Sequence, residues 1–258
     1  MQNRTLLTPL FLDAPVSGLA LLAKANWQVN APVLPGGELQ TRMSVVHEAI
    51  AAWVQETLAA GGRPVSVAGD CCAAIGMLAG LQRGGLNPTL IWFDAHGDFN
   101  TPETTPSGFL GGMPLAMIAG RGDLTMPGAV GLKPLNEGSI ILTDGRDLDP
   151  AEKEMLAQSE VVHLPEAELL LDHALPDGPL YIHFDVDVVS LDESPAQNYP
   201  AEGGPSAALL HAVFGRLAAT GRVGAVSVAA WNPALDPVGK SQAVSMALLH
   251  TLVGSLNT

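Results

Sequence analysis

Five short apolar or β-branched runs recur along the chain: PVSVAG (64–69), TLIWFDA (89–95), SIILTDG (139–145), LYIHFDVDV (180–188) and VGAVSVAAW (223–231). They lack the polar alternation of a strand with one face in water, so both of their faces should be buried. Between them lie helical patterns. Residues 43–60 place Val46, Ile50, Trp53, Val54 and Leu58 on one face, and 72–83, 151–158, 206–220 and 240–253 show similar spacing. Strands buried on both sides and separated by amphipathic helices predict a parallel sheet covered on each face. A chain of 258 residues can bury such a core as one unit, and no linker, repeat or low-complexity tract divides it, so a single α/β domain over 1–258 is expected.

Composition narrows the function classes. With 26 acidic against 12 basic side chains the formal charge is -14, and no Lys/Arg cluster stands out, which argues against a nucleic-acid partner. The cysteines, Cys71 and Cys72, are adjacent, so no disulfide framework is expected and a reducing compartment fits best. Pro9, Asp13 and Pro15 interrupt the apolar N-terminal run, against a signal peptide, and no uninterrupted apolar stretch reaches the roughly 18 residues of a spanning helix. The expectation is a soluble cytoplasmic protein with no membrane partner.

In open α/β sheets ligands bind beyond the carboxyl ends of the strands. Three such ends carry chemistry: AGDCC (68–72), FDAHGDFN (93–100) and FDVDVVSLD (184–192). Residues two apart on an extended segment share a side, so Asp94, His96 and Asp98 can converge, as can Asp185 and Asp187. Four crowded carboxylates require protons or a cation. Two divalent ions sharing carboxylates would supply that charge, and a carboxylate-rich site with one imidazole suits Mn, Mg, Fe or Zn. Taken alone, each Asp-x-His or Asp-x-Asp is as readily a strand end, and Asp70 reads as a cap for the helix that follows it.

The ordered blocks GDCCAAIG, DAHGDFNTPETTPSGFLGGMP, GRDLD, FDVDVVSLDESPAQNYPAEGG and WNP resemble the ureohydrolase superfamily of arginases, agmatinases and formiminoglutamases, from about residue 64 to 233. The resemblance implies a three-layer α/β/α fold with a mainly parallel sheet, and a dinuclear site, typically of manganese. Its bridging hydroxide attacks the central carbon of a guanidino or amidino group. Asp94 and Asp185 match the bridging ligands, His96 and Asp187 complete one metal, and Asp98 helps complete the other. Relatives of this fold often assemble as trimers or hexamers.

The departures from the family pattern carry as much information. Cys71 stands where the family has a histidine; a thiolate there shifts preference toward Zn, Fe or Co, and the alternative is a small buried residue beside a site that has lost a ligand. Cys72 reads as packing. The segment matching S-G-N-x-H-G is SGFLGG, with Phe109 for the asparagine and Gly111 for the histidine that shuttles protons. His183 and Asp98 remain as candidate catalytic acid/base groups, although His183 can equally hold a metal-binding carboxylate. Ala230 takes the place of the glutamate that pairs with a guanidinium. Tyr199 and Trp231 add aromatic surface suited to a smaller, less basic or more apolar substrate, Phe109 counts among the substrate-binding candidates by its place in the motif, and Asn100, Ser107 and Asp149 match positions that meet an amino acid end.

The motifs are nearest to the N-omega-hydroxyarginine amidinohydrolase branch. The expected function is metal-dependent hydrolysis of a carbon–nitrogen bond in a guanidino, hydroxyguanidino or amidino compound. Two alternatives stand beside it: an amide or lactam-type hydrolase, and an inactive binding homologue.

Overall fold

The computed structural model describes residues 1–254 and 256. Along the chain run β1 (Gln2–Thr8), the hairpin strands β2 (Leu10–Phe11) and β3 (Ala14–Pro15), α1 (Ser17–Ala20), β4 (Gln28–Val29), α2 (Leu39–Ala59), β5 (Gly62–Ala68), α3 (Ala73–Arg83), β6 (Thr89–His96), α4 (Pro114–Ile118), α5 (Thr125–Ala129), β7 (Ile140–Asp147), α6 (Pro150–Ala157), β8 (Val162–Leu164), β9 (Leu180–Asp185), α7 (Ala207–Ala219), β10 (Val223–Ala229) and α8 (Lys240–Val253). Eight strands form one sheet in the order β4-β1-β5-β10-β9-β6-β7-β8. Every pairing within it is parallel. The carboxyl ends of β5, β10, β9, β6 and β7 therefore lie side by side.

The period of two along each strand divides the core between the faces of the sheet. On β6, Leu90 and Trp92 join the core beneath α2 and α3, whereas Ile91 and Phe93 join the core beneath α7 and α8. Phe214 of α7 meets Phe93 and Phe184 edge-on, with ring centroids 4.8 and 5.4 Å away. Each fully buried ring of this kind stabilises the fold by about 1.5–3 kcal/mol. The result is the expected three-layer α/β/α arrangement.

The differences from expectation are local. Strands β1, β4 and β8 carry no strong apolar signal, because β1 opens on Gln2-Asn3-Arg4 and the other two are short edge strands, β4 exposed and β8 only half-buried. The run 180–188 stops being a strand at Asp185, whose side chain accepts the Asp187 amide and turns Val186–Val188 into a 3₁₀ turn. Likewise β10 ends at Ala229, since Ala230 adopts a left-handed conformation with φ 67°.

Candidate active site

The adjacent ends of β6 and β9 bring their acidic residues together. Asp94 accepts the Trp92 indole N–H at 3.0 Å on Oδ2 and the His96 amide at 2.7 Å on Oδ1. His96 Nδ1 lies 3.0 Å from Asp187 Oδ2 and 3.4 Å from Asp94 Oδ1. Asp187 in turn accepts the Ala95 amide at 3.1 Å, tying the two strand ends together. From the end of β5, the Cys71 thiol donates to Asp185 Oδ2 at 2.9 Å. Two overlapping donor sets result, Cys71–Asp94–Asp185 and Asp94–His96–Asp187, and within each the ligand atoms lie no more than 4.8 Å apart.

Asp98 stands beside both sets without belonging to either. It is a non-glycine residue at φ 49°, a strained conformation that persists where the surrounding structure enforces it. Its Oδ2 is buried and has no hydrogen-bond partner.

Burial, reinforced by charge crowding, sets the electrostatics. Burial first, then the charge of Asp187, pushes Asp94 up to about 6. Burial and neighbouring carboxylates raise Asp98 and Asp185 well above the usual carboxylate range. The Cys71 thiol is raised by burial and then by the charges of Asp185, Asp98 and Asp94. His96 behaves differently: burial alone would lower it, but the carboxylates of Asp187 and Asp94 outweigh that and push it up to about 12. Burial would raise Asp187, yet the His96 imidazolium holds it below its ordinary value. An orphaned buried carboxylate oxygen among crowded acids, with imidazole and thiol donors in reach, fits divalent cations.

These residues floor a cavity of about 430 Å³. Of the side chains singled out in the sequence, Cys71, His96, Asp98, Asn100, Ser107, Phe109, Asp149, Asp185, Asp187 and Tyr199 line it, and Asp94 lies buried just beneath. The Asn100 carboxamide donates to Asp149 Oδ2 at 2.9 Å, while the Ser107 hydroxyl accepts the Phe109 amide at 3.1 Å. Asp70 is not the cap of α3, whose N-cap is Cys72; it accepts the Cys72 amide at 2.9 Å in the turn before the helix and the Leu12 amide of the hairpin at 2.7 Å. Cys72 is fully buried packing.

His183 and Trp231 do not reach this cavity. His183 does point to the same side of β9 as Asp185, but one step deeper, where it stacks on Trp92 with centroids 3.7 Å apart and Nδ1 lies 2.8 Å from the Ser227 hydroxyl. Burial pushes it down to about 3, so it is a neutral group supporting the floor and not an acid/base group at the cavity. The Trp231 indole is carried away by the reversal at Ala230 and donates to Asp236 Oδ2 at 2.9 Å, lining a neighbouring hollow with Phe11, Asn198 and Tyr199.

Sequence reasoning did not single out Phe11, Thr105, Asp147, Glu152 or Asn198, all of which line the cavity. Glu152 had a legible signal, lying three residues after Asp149 and just past Pro150. Its carboxylate accepts the Asp149 amide at 3.1 Å and the Phe99 amide at 2.8 Å. Phe11 had none, because a two-residue hairpin strand leaves no periodic trace.

Comparison with known proteins places this geometry in context. The model of the Arginase family matches residues 13–254. The N(omega)-hydroxy-L-arginine amidinohydrolase of Streptomyces lavendulae is 33% identical over 230 residues, covering 88% of this chain and 78% of that protein. An arginase of Bacillus subtilis is 29% identical over 231 residues, covering 84% of this chain and 78% of that protein. Among solved structures, an arginase from Bacillus subtilis superposes with a TM-score of 0.83 at 24% identity, covering 99% of both chains.

Proposed function

The chain belongs to the arginase family, and from that premise we propose that it hydrolyses a carbon–nitrogen bond in a guanidino, hydroxyguanidino or amidino compound with the help of two divalent ions. The observation that carries this reading is the pair of donor sets sharing Asp94 on the floor of the cavity. Cys71, Asp94, Asp98 and Asp185 would hold one ion, and Asp94, His96, Asp185 and Asp187 the other. Divalent ions bound there would neutralise the carboxylates and make water a nucleophile near neutral pH. Manganese follows from the family resemblance, while the Cys71 thiol favours Zn, Fe or Co.

The chain's own residues do the rest. Asp98 would take and return a proton at the floor through whichever carboxylate oxygen a bound ion leaves free. Asn100, Ser107 and Asp149 offer an amino acid-like substrate polar contacts on the cavity wall. Position 111 offers no imidazole acid and position 230 no carboxylate, so a strongly basic guanidinium lacks a partner at those two places. A hydroxyguanidine is less basic and depends less on both, and the Streptomyces lavendulae relative is named for that class of substrate.

Ala230 on the wall also supports a second reading, an amide or lactam-type hydrolase, which needs no guanidinium-pairing carboxylate. Protein reconstituted separately with Mn, Zn, Fe and Co and assayed on arginine, N-hydroxyarginine, smaller amidines and amides separates the two. The expected result is two ions per chain and release of urea or hydroxyurea. Activity on amides alone would establish the second reading, and an inert protein that binds no metal would defeat both.

A further inference from the structure

The cavity is polar on one side and apolar on the other, and the strand order shows which. On the β7 side stand Asp147, Asp149 and Glu152. On the side of β5 and β10 stand Ala230 and the ring of Phe11, together with Cys71 and Asp70, whose carboxylate is engaged by the Leu12 and Cys72 amides and so ties the hairpin of Phe11 to this corner. Phe11 and Phe109 are near-parallel with centroids 6.2 Å apart, and Phe109 and Tyr199 follow at 5.0 Å. Three rings from three separate segments thus make one continuous row. No lysine or arginine lines the cavity among the described residues.

The middle ring is held by design of the loop. A Cβ on Gly111 would come within 2.4 Å of Phe109 Cε1 and 2.5 Å of its Cζ, so position 111 accepts no side chain while the ring lies there. Gly108 supplies the left-handed turn at φ 69° before it, and the Ser107 hydroxyl fixes the Phe109 amide. Tyr199 is 49% exposed, so the outer end of the row is open to a ligand.

We propose that this ring row is the specificity surface of the site. The substrate class is an amidino or guanidino compound whose nitrogen carries an apolar substituent, with that substituent lying against Phe11, Phe109 and Tyr199. This rests on the hydrolase reading above and names the substrate class for it. The rings and the Ala230 methyl offer a bare guanidinium no carboxylate fork, whereas an alkyl or aryl group is desolvated against them.

Isothermal titration of the metal-loaded protein with methylguanidine, butylguanidine and phenylguanidine tests it. Butyl- and phenylguanidine should bind at least about tenfold more tightly than methylguanidine. Tyr199→Ala should reduce that preference and Phe109→Ala should abolish it, with Phe109→Leu intermediate. Thermal melts identify any variant that fails to fold, and Tyr199, half-exposed, provides a test that does not disturb the core. Equal affinity for all three ligands, absence of binding, or a preference untouched in Tyr199→Ala and Phe109→Leu would overturn the proposal. Hydrolysis of amides alone, with the binding preference intact, would instead overturn the guanidino reading and leave the apolar surface standing.

Discussion

The two donor sets share Asp94 yet balance their charge in opposite ways. In the set containing His96, the imidazolium sits between Asp187 and Asp94, and the protein provides its own counter-charge. In the set containing Cys71 every member is an acid, and neighbouring Asp98 adds another. Burial and mutual repulsion push that side toward its protonated forms. One half of the centre is compensated from within, while the other is left to protons or to the cation proposed above.

The largest effects should come from residues that serve both halves. Asp94→Ala removes the shared member, and Asp185→Ala removes the acceptor of the Cys71 thiol. Each should reduce kcat/KM by roughly a thousandfold or more, corresponding to about 4 kcal/mol or more of barrier. Metal analysis should show the loss of bound ions alongside. Full turnover with two ions bound to either variant would dismantle the picture of overlapping sets.

Cys71→Ser sharpens the comparison, because it touches only the externally compensated half. Metal content should fall from about two ions per chain toward one, with the weaker ion losing on the order of tenfold or more in affinity. Cys72→Ser should leave both ions in place, since that thiol faces the Leu110 carbonyl at 3.9 Å. Equal occupancy in the two variants would remove Cys71 from the centre.

The same contrast explains what could be read from sequence. The acidic strand ends were legible because a period of two aims Asp94, His96 and Asp98, or Asp185 and Asp187, to one side, and crowded carboxylates demand a counter-charge whatever the fold. Periodicity gives a side but not a depth, which is why His183 was grouped with the cavity residues when it lies under them against Trp92. Nor does it register a backbone reversal such as the one at Ala230, which takes Trp231 into the next hollow. The apolar wall was half visible, through Phe109 and Tyr199. Its third ring, Phe11, is brought in by a hairpin whose anchor, Asp70, is 58 positions away from Leu12 in the chain. Short edge strands stayed hidden because they bury too little to be marked by apolar runs.

The last effect concerns the acidic wall beside the His96 half. Burial, only partly offset by the Phe99 and Asp149 amides, pushes Glu152 up from 4.5 to about 7. In metal-free protein the folded state therefore keeps a proton that the unfolded chain has released. Its stabilising contribution is complete below pH 4.5 and is lost as pH rises to about 7. The total change is at most about 3 kcal/mol. Glu152→Gln cannot release that proton, so urea unfolding across this range should show a shallower fall than wild type. The lost second carboxylate acceptor would cost about 1 kcal/mol at every pH. Metal loading should flatten the wild-type slope as well, because nearby cations favour the ionised carboxylate and lower the pKa of Glu152. Parallel slopes in wild type and variant would mean that the wall carries none of the centre's excess charge, leaving the whole burden on the half that contains Cys71.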